Sequence, residues 1–380
     1  MEYTLSGEER NQYRITSNNS RIAKKNAMNG RGPKPVHSIN QPKLDAETLM
    51  SQLPNNGLLG LSLFSGCGGL DLGFEKAGFQ HVSSYDIIPI CGETISENRP
   101  NWNVKSGIDD GDVKKIDWSI YKNNVDVIHG GPPCQPFSIS GQQKGKNDER
   151  NMWPEFIRAV LTIEPRAFVA ENVPGILVKK FSEFVEQEIV SPLKKYKILM
   201  FKLNAADFGV PQNRKRVFFV GFKNKSDADK FVIPSPTHTV NFGLSNEQKN
   251  LSNLPETIGV REALGLSDIG FDSLAPTIRS AFTGKRSTTS ILNGSSGQKL
   301  WSKLEIWPNG VGADRKSAQL YVPDNKHFRL SVQDCAVLQG FPKSWKIEGA
   351  VYQILGQLGN SVAPPVSYAV AKSLSSALMA

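Results

Sequence analysis

Residues 58–79 read LLGLSLFSGCGGLDLGFEKAGF, an apolar run followed by a glycine-rich turn and a second run with helical character. The first part, Leu58 to Phe64, has the length and composition of a buried strand. The last part predicts a helix from Leu70 to Ala77. Strand, glycine-rich turn and helix form the opening unit of a nucleotide-binding α/β fold, in which glycine lets the backbone approach a ligand closely. A glycine-rich turn also occurs for purely structural reasons, so this stretch predicts the fold more strongly than the ligand.

Residues 125–138 read VDVIHGGPPCQPFS. A second apolar run of strand length begins this stretch, and the turn that follows it presents one thiol. Neither a helix nor a central strand continues through Gly-Gly-Pro-Pro, so the chain turns just before Cys134. The prolines restrict the backbone around this residue, which is how a chain positions a nucleophile. A lone cysteine in such a turn is otherwise a small, inert residue. Taken by itself, the turn leaves both interpretations of Cys134 open.

Length and composition bound the class of protein. The chain has 380 residues, of which 39% are hydrophobic, enough for one large domain and a smaller one. A formal net charge of +9 favours a polyanionic partner. The four cysteines form no CxxC pair, so neither a zinc site nor a disulfide framework is expected. No apolar run is long enough to span a bilayer and the N-terminus has no apolar signal core, which predicts a cytoplasmic protein.

Two further predicted strands end in a carboxylate. The run from Val82 ends at Asp86, where an acid accepts hydrogen bonds from ribose hydroxyls in a doubly wound fold. Asp86 also suits the N-cap of a helix predicted over residues 87–97. The apolar run Phe168–Ala170 ends at Glu171, directly before a Pro-Gly turn. A lone acid at such a position is commonly a helix cap or a surface charge. Only the presence of the thiol turn in the same chain favours a catalytic role for Glu171.

Together these stretches resemble the C5-cytosine-specific DNA methyltransferases of bacterial restriction–modification systems. Residues 64–79 resemble that family's first S-adenosylmethionine motif, residues 125–138 its nucleophile motif and residues 171–173 its acid motif. Residues 212–216, Gln-Asn-Arg-Lys-Arg, match its Gln-x-Arg-x-Arg motif. The matches run in the family's order from residue 58 to the end, and several independent matches in order are far more specific than one.

The resemblance implies an α/β fold: a doubly wound, Rossmann-like, S-adenosylmethionine-dependent methyltransferase domain with a smaller, irregular target-recognition domain. The implied divisions are a polar, basic N-terminal extension (1–57), a catalytic domain (58–223), a target-recognition domain (224–356) and a C-terminal segment that returns to the catalytic domain (357–380). By composition alone, the loosely patterned stretch from Lys223 to about Leu320 also suits a merely irregular insertion. We expect residues 1–57 to form an arm outside the catalytic fold, with one short helix between Gly7 and Asn29, although a DNA-binding or regulatory appendage is a second interpretation.

The resemblance also assigns the cofactor, S-adenosyl-L-methionine, to a set of residues spread along the chain. Asp112 is expected at the adenine amino group, with Val113 packed on the ring. The residues implied to contact the cofactor are Phe64, Gly66, Gly68, Asp86, Ile87, Asp112, Val113, Gly131, Pro133, Asn360 and Ser361.

For catalysis, the resemblance implies that Cys134 attacks C6 of a cytosine flipped out of the duplex, while Glu171, Arg214 and Arg216 stabilise the charge that builds on the ring. At spacing two on a strand, both arginines are expected to point to one side. The polar segment after Cys134 suits either a surface loop or a lid over bound DNA. The implied DNA contacts are Ser138, Gln142, Arg279, Lys285 and Arg286.

The expected partner is double-stranded DNA, and a cognate restriction endonuclease that shares the site without having to be bound is a further expectation; no metal or membrane is expected. We expect a monomer associated with the bacterial nucleoid through its DNA. An RNA cytosine methyltransferase on the same scaffold is one alternative, although such a relative is expected to lack a long recognition insert. A DNA-binding regulator is another. An oxidoreductase is disfavoured because the glycine turn is not GxGxxG.

Overall fold

The computed structural model describes residues 6–133, 151–242, 253–280, 282, 289–291 and 294–380. The strands of this part are β1 (Leu59–Leu63), β2 (Gln80–Asp86), β3 (Val104–Ser106), β4 (Val127–Gly130), β5 (Ala167–Asn172), β6 (Lys197–Asn204), β7 (Gln212–Asn213), β8 (Lys215–Phe222), β9 (Ala275–Pro276), β10 (Ile306–Gly312) and β11 (Phe328–Ser331). Its α-helices are α1 (Gly7–Met28), α2 (Gly69–Lys76), α3 (Pro89–Asn98), α4 (Gly107–Asp110), α5 (Trp153–Ile163), α6 (Ser182–Phe184), α7 (Lys225–Lys230), α8 (Val260–Ala263), α9 (Gly294–Lys303), α10 (Arg315–Leu320), α11 (Val332–Leu338), α12 (Val351–Asn360) and α13 (Pro364–Met379).

Seven strands form the main sheet in the order β3-β2-β1-β4-β5-β8-β6. The pairs from β3 to β5 are parallel, and β8 runs antiparallel to both β5 and β6. The chain leaves β1 in one direction through β2 and β3 and resumes on its other side with β4. The strand order therefore reverses between β1 and β4, and open α/β sheets bind their ligands at such a point, beyond the carboxyl ends of the strands.

Both faces of the sheet are buried, because successive side chains of a strand point to opposite faces. On one face, Val127 and Val169 pack with α2 and α13. On the other, Ile128 and Phe168 pack with α5. Each fully buried side chain of this size contributes about 1.5–3 kcal/mol relative to leaving it in water. The prediction of a doubly wound α/β fold is confirmed.

The C-terminal helix α13 lies against α2, the helix that follows the first glycine-rich turn. The two backbones approach so closely that a Cβ at Gly73 would lie 2.4 Å from the Cβ of Ser367. A glycine is required at this crossing, and it brings the end of the chain back to the catalytic sheet. The core of the main sheet also includes Ala228 and Phe231, so it extends past the predicted boundary at residue 223.

A separate hydrophobic core lies outside the main sheet. It is formed largely by residues 260–358, among them Trp301, Phe328 and Leu355, around the short parallel pair β10–β11. Two residues of the N-terminal segment, Leu44 and Met50, are buried in it. The described residues thus form a further core besides the two that flank the main sheet.

The N-terminal segment differs from its prediction. Helix α1 spans 22 residues rather than one short stretch. The expectation of an arm outside the fold is wrong for residues 40–56, because Met50 is only 1% exposed and Asn40 donates hydrogen bonds to the Leu264 carbonyl and to Asp334, each at 3.0 Å. A few apolar residues in a polar segment were sufficient to anchor it.

Element boundaries elsewhere follow local rules. Residues 181–196 form a series of short turns rather than one regular helix, with π-helical geometry over Val185–Val190. Pro192 lies at the end of this stretch and cannot donate to a regular helix. Ser331 is the N-cap of α11, in a capping box with Asp334. Among the helices of the described ranges, none has the length and apolar character needed to cross a bilayer.

Candidate active site

The carboxyl ends of β1, β2, β4 and β5 open into one cavity of about 430 Å³. It lies at the reversal of strand order, where the fold predicts a ligand. The residues that line it are Phe64, Ser65, Gly66, Leu70, Asp86, Ile87, Ile88, Cys91, Gly111, Asp112, Val113, Lys114, Gly131, Pro132, Pro133, Met152, Glu171, Val173, Arg216, Phe282, Gln357, Gly359, Asn360, Ser361 and Val362. Every predicted cofactor residue except Gly68 is in this set.

Asp86, at the end of β2, fixes the glycine-rich turn. One carboxylate oxygen accepts from the backbone N–H of Gly66 and the other from that of Ile88, both at 2.8 Å. Burial raises the pKa of Asp86, against the opposing effect of these two N–H donors. The predicted N-cap role is wrong, because α3 begins at Pro89 and its N-cap is Ile88. A carboxylate oxygen has more than one lone pair, so both oxygens can accept a further hydrogen bond from the cavity.

One side of the cavity is apolar. It is formed by Phe64, Ile87 and Val113, and Phe64 has a positive φ of 56° at the end of β1. The Val113 carbonyl accepts a 2.6 Å hydrogen bond from Arg158, while the Asp112 side chain accepts from the N–H of Lys114 at 3.1 Å. These bonds hold the turn after α4 so that an apolar surface and a carboxylate face the same space.

Gly68 and Arg214 lie behind the cavity wall. Gly68 has a φ of 81° and starts α2, and a Cβ there would lie 2.9 Å from the Trp345 ring. Arg214 is 1% exposed and donates to the carbonyls of Ile278, Gly359 and Ser361 at 3.2, 2.8 and 2.5 Å. Arg214 therefore holds the backbone that carries the cavity wall, whereas Gly68 permits the turn beneath it.

The expectation that Arg214 and Arg216 point to one side of a single strand is wrong. Strand β8 begins at Lys215, so Arg214 precedes it, and its backbone N–H bonds to the side chain of Asn204 at 2.9 Å. The short strand β7 and this bond turn Arg214 into the interior, while Arg216 follows the pleat of β8 towards the cavity.

Glu171 and Arg216 form an ion pair at the cavity. The Nε of Arg216 lies 2.7 Å from Oε1 of Glu171, and the two side chains are 11% and 9% exposed. The pKa of Glu171 is raised, since burial outweighs the opposing charges of Arg216 and Arg214. Its other oxygen lies beside Gly131, where a Cβ would be only 3.2 Å away. The site thus holds an ion pair whose carboxyl is protonated more readily than that of a solvent-exposed glutamate.

The proline-rich turn is anchored next to this pair. The side chain of Asn172, at the end of β5, donates a 3.1 Å hydrogen bond to the carbonyl of Pro132. Gly131, Pro132 and Pro133 all line the cavity, and the next residue along the chain is Cys134. Cys134, Ser138, Gln142, Lys285 and Arg286 lie outside the described residues.

Comparison with known proteins identifies the family. Residues 59–376 match the family model of the C-5 cytosine-specific DNA methylases. The chain belongs to this family. It is 32% identical to the Type II methyltransferase M.NgoMIV of Neisseria gonorrhoeae, over 84% of this chain and 97% of that protein. It is 31% identical to the Type II methyltransferase M.Eco47II of Escherichia coli, over 85% of this chain and 80% of that protein.

The fold agrees with solved structures of similar proteins. A mutant of Spodoptera frugiperda DNMT2 superimposes with a TM-score of 0.52 at 20% identity, covering 83% of this chain and 99% of that one. At this identity the likeness concerns the fold alone. As a member of its family, the chain is a DNA cytosine-5-methyltransferase that uses S-adenosyl-L-methionine.

The cavity of this methyltransferase fits its cofactor in chemical terms. It combines an apolar side suited to a purine ring with the carboxylates of Asp86 and Asp112, which suit hydroxyl and amino donors. At Gly66 a Cβ would meet nothing within 4 Å, so the backbone there is open to the cavity. The binding residues themselves remain an assignment made from the resemblance and from their position in the wall.

Sequence reasoning missed two residues of the methyltransferase site. Asn172 was noted only as part of the acid motif, although its place beside Glu171 at a strand end was a usable signal. Phe282, which also lines the cavity, lies in the irregular region, where no periodic pattern could have identified it. Arg279, a predicted DNA contact, is exposed in that region.

Proposed function

We propose that this enzyme methylates C5 of a flipped-out cytosine within one specific sequence of double-stranded DNA, through a covalent bond between Cys134 and C6. The observation that carries the proposal is the buried Glu171–Arg216 pair, at 2.7 Å, beside the anchored proline-rich turn. Because relatives that align over most of their length are Type II methyltransferases, the enzyme protects the DNA of its own cell within a restriction–modification system. A cognate endonuclease recognises the same sequence without needing to bind the enzyme.

The chemistry begins with the thiolate of Cys134. Cytosine C5 is a poor nucleophile, and addition of sulfur to C6 disrupts the aromatic ring and makes C5 enamine-like. Only the thiolate attacks, so the turn must present a deprotonated sulfur to the base. The bond from Asn172 to Pro132 fixes the approach of the turn, which reduces the entropy lost on reaching the reactive geometry.

Glu171 and Arg216 stabilise the charge that this addition places on N3 and O2 of the ring. Burial raises the pKa of Glu171 above its ordinary value, and we propose that the carboxyl, protonated or sharing a proton, forms a hydrogen bond with N3. Arg216 donates towards O2 while its Nε stays on Glu171. Arg214 acts through the backbone of Gly359 and Ser361, which it holds in the cavity wall. We therefore assign Arg214 a positioning role rather than direct contact with the base.

S-adenosylmethionine supplies an electrophilic methyl group when it is bound in the same cavity, and C5 receives that group. Water then removes the C5 proton, the electron pair of that bond restores the ring, and the bond between C6 and the Cys134 sulfur breaks. The thiolate is regenerated, so the protein is unchanged at the end of the cycle.

The target base must leave the duplex, since C5 and C6 are inaccessible within the base stack. Extrusion costs a few kcal/mol, which contacts with DNA must offset. Ser138, Gln142, Arg279, Lys285 and Arg286 are the proposed contacts, and a net charge of +9 supports binding to phosphates that weakens as salt rises. We place the enzyme in the bacterial cytoplasm as a monomer on nucleoid DNA.

A covalent trap tests the nucleophile. Duplex DNA in which 5-fluorocytosine replaces the target cytosine should become attached to the protein when S-adenosylmethionine is present. Release of the sulfur requires removal of the C5 proton, and in this base C5 carries fluorine instead. Bisulfite sequencing of DNA treated with the enzyme first identifies the target. Peptide mapping should place the adduct on Cys134, and Cys134→Ser should lose both the adduct and methyl transfer while still binding DNA.

Cys335→Ala is the matched control, because it removes a buried thiol that does not line the cavity. It should retain the adduct. Near-normal methylation by Cys134→Ser, or an adduct on another residue, would overturn the nucleophile assignment. Transfer to tRNA in preference to duplex DNA would instead favour the RNA methyltransferase alternative.

A further inference from the structure

The positive charge of this enzyme is concentrated in one short part of its sequence. Residues 10–44 contain eight lysines and arginines and no acidic residue, whereas the whole chain has a net charge of +9. The rest of the chain therefore carries almost no net charge. Like charges placed together repel one another, so such a concentration is typical of a surface that meets a polyanion.

Helix α1 carries part of this charge on one face. The residues of that face, which we call the basic face of α1, follow one another at spacings of three and four: Asn11, Arg14, Asn18, Arg21 and Lys25. All five are exposed to solvent. From Arg14 to Lys25 the helix rises about 17 Å. This length is about half of one turn of B-DNA, so the face can follow a stretch of duplex backbone.

The cations of the basic face keep donors available for a ligand. Arg14 donates to Oδ1 of Asn11 at 3.3 Å, and Arg21 donates to Oδ1 of Asn18 at 3.2 Å. A guanidinium has five N–H groups, so each arginine retains others. Among the described residues, no carboxylate forms an ion pair with Arg14, Arg21 or Lys25. The face therefore presents positive charge to an acceptor outside the protein.

The structure attaches α1 to the region that is proposed to recognise DNA. Helix α1 packs on α10, which packs in turn on β10 and β11. Just after α1, the Nε2 of His37 hydrogen-bonds to the carbonyl of Lys326 at 2.8 Å, and the His37 ring packs edge-on against Phe328 with centroids 5.7 Å apart. Among the α1 residues whose exposure is described, Ala27 alone is buried. The helix is thus anchored near its C-terminal end, and the basic face remains in solvent.

We infer that the basic face of α1 binds the phosphate backbone of the DNA substrate and adds affinity that does not depend on sequence. Phosphate oxygens accept hydrogen bonds from arginine and lysine, and each such contact releases a counterion from the DNA. These contacts carry no sequence information, so α1 strengthens binding to target and non-target duplexes alike. The inference deepens the proposed function and rests on duplex DNA as the substrate, but it does not depend on the assignment of Cys134.

The test measures binding of the full-length protein to fluorescent duplexes by anisotropy, over a series of salt concentrations. One duplex contains the target sequence, and the other has the same length and composition without it. A triple variant, Arg14→Gln with Arg21→Gln and Lys25→Gln, should bind both duplexes about tenfold more weakly at low salt. The slope of log K against log salt concentration should become shallower by about 3, one for each lost phosphate contact. Glutamine is a good helix former, so α1 itself is retained.

The matched control removes the same charge from another surface. Lys194, Lys225 and Lys230 are exposed and lie near the amino ends of the parallel strands, at the edge of the sheet opposite the cavity. Their joint replacement by glutamine should leave the affinity and the salt slope as in the wild type. Arg14→Lys with Arg21→Lys should retain most of the affinity, because a phosphate contact requires a cation rather than a planar group.

Three results would overturn the inference. The first is an unchanged affinity and salt slope in the triple variant. The second is a loss confined to the target duplex, which would assign base reading to α1, or an equal loss in the control variant, which would assign the effect to net charge. The third is a loss of tRNA binding with intact duplex binding. Since binding is the readout, a failed Cys134 assignment would leave these results interpretable.

Discussion

Two arginines that stand two residues apart lie in contrasting surroundings. Arg216 lies at the cavity, where its Nε faces a carboxylate at 2.7 Å. Arg214 lies in the interior, where its terminal nitrogens donate to three backbone carbonyls from two other segments of the chain. A single motif in the sequence thus supplies both a group at the cavity and a group that joins the sheet to the second core.

The difference shows why side-chain type does not determine role. A guanidinium presents five N–H donors in a fixed plane, which suits a carboxylate and a set of carbonyls equally well. Both arginines lower the pKa of Glu171, and burial of the carboxyl outweighs them. The electrostatic contribution is therefore shared, whereas contact with the reacting base is expected of Arg216 alone.

The largest effect is expected from breaking the pair at the cavity. Glu171→Gln retains a donor of nearly the same shape but cannot carry a titratable proton, so the rate of methyl transfer should fall about 10³-fold. Cofactor affinity should change little, because the proposed role of Glu171 is to bond the base rather than the cofactor. Single-turnover transfer of labelled methyl groups and calorimetry of S-adenosylhomocysteine measure the two quantities.

The pH dependence sharpens this result. Because the pKa of Glu171 is raised, methylation by the wild type should decline as pH rises and the proton is lost, and this decline should vanish in Glu171→Gln. Glu183→Gln, at an exposed acid on α6, is the control and should behave as wild type. A large loss of cofactor affinity with an intact rate would assign Glu171 to the cofactor instead.

Substitution of Arg214, which joins the sheet to the second core, should instead affect the stability of the fold. Arg214→Met preserves much of the side-chain volume but removes the guanidinium that donates to the carbonyls of Ile278 and Gly359 in the interior, while the Ser361 carbonyl keeps the hydrogen bond that it accepts from Gln339. Each hydrogen bond from a charged donor contributes about 1.5–3 kcal/mol, and removal of the guanidinium's own desolvation cost offsets part of the loss. We expect the free energy of unfolding to fall by about 3 kcal/mol, as measured by urea denaturation.

Cofactor affinity should fall together with stability in Arg214→Met, because Ser361 lies in the cavity wall. Lys215→Met, at the exposed residue that follows Arg214 and begins β8, provides the control. An Arg214→Met protein that is as stable as wild type but inactive would show that Arg214 takes part in the chemistry directly.

The sequence predicts the strands of the main sheet but not the different surroundings of the two arginines. Runs such as Val127–Ile128 and Phe168–Ala170 predict strands because their pattern is set locally, and the residues at the ends of those strands could then be assigned to one edge. The interior position of Arg214 could not be predicted, since it depends on Ile278 and on residues 359–361, which are distant in the chain. Phe282 was missed for the same reason, because its position depends on close contact with Gly356 of α12, which is distant in the chain.

The smallest effect is expected from Arg216→Lys. Lysine keeps the charge beside Glu171 but replaces a planar set of donors with a single ammonium, which cannot hold the carboxylate and also reach the base in the same geometry. The rate of methyl transfer should fall about tenfold, which corresponds to about 1.4 kcal/mol of transition-state stabilisation. The unfolding midpoint in urea should equal that of the wild type, since the Arg216 side chain lies at the cavity and not in the interior, where Arg214 lies. A rate equal to wild type would reduce the role of Arg216 to its charge alone, while a large loss of stability would remove the distinction between the two arginines.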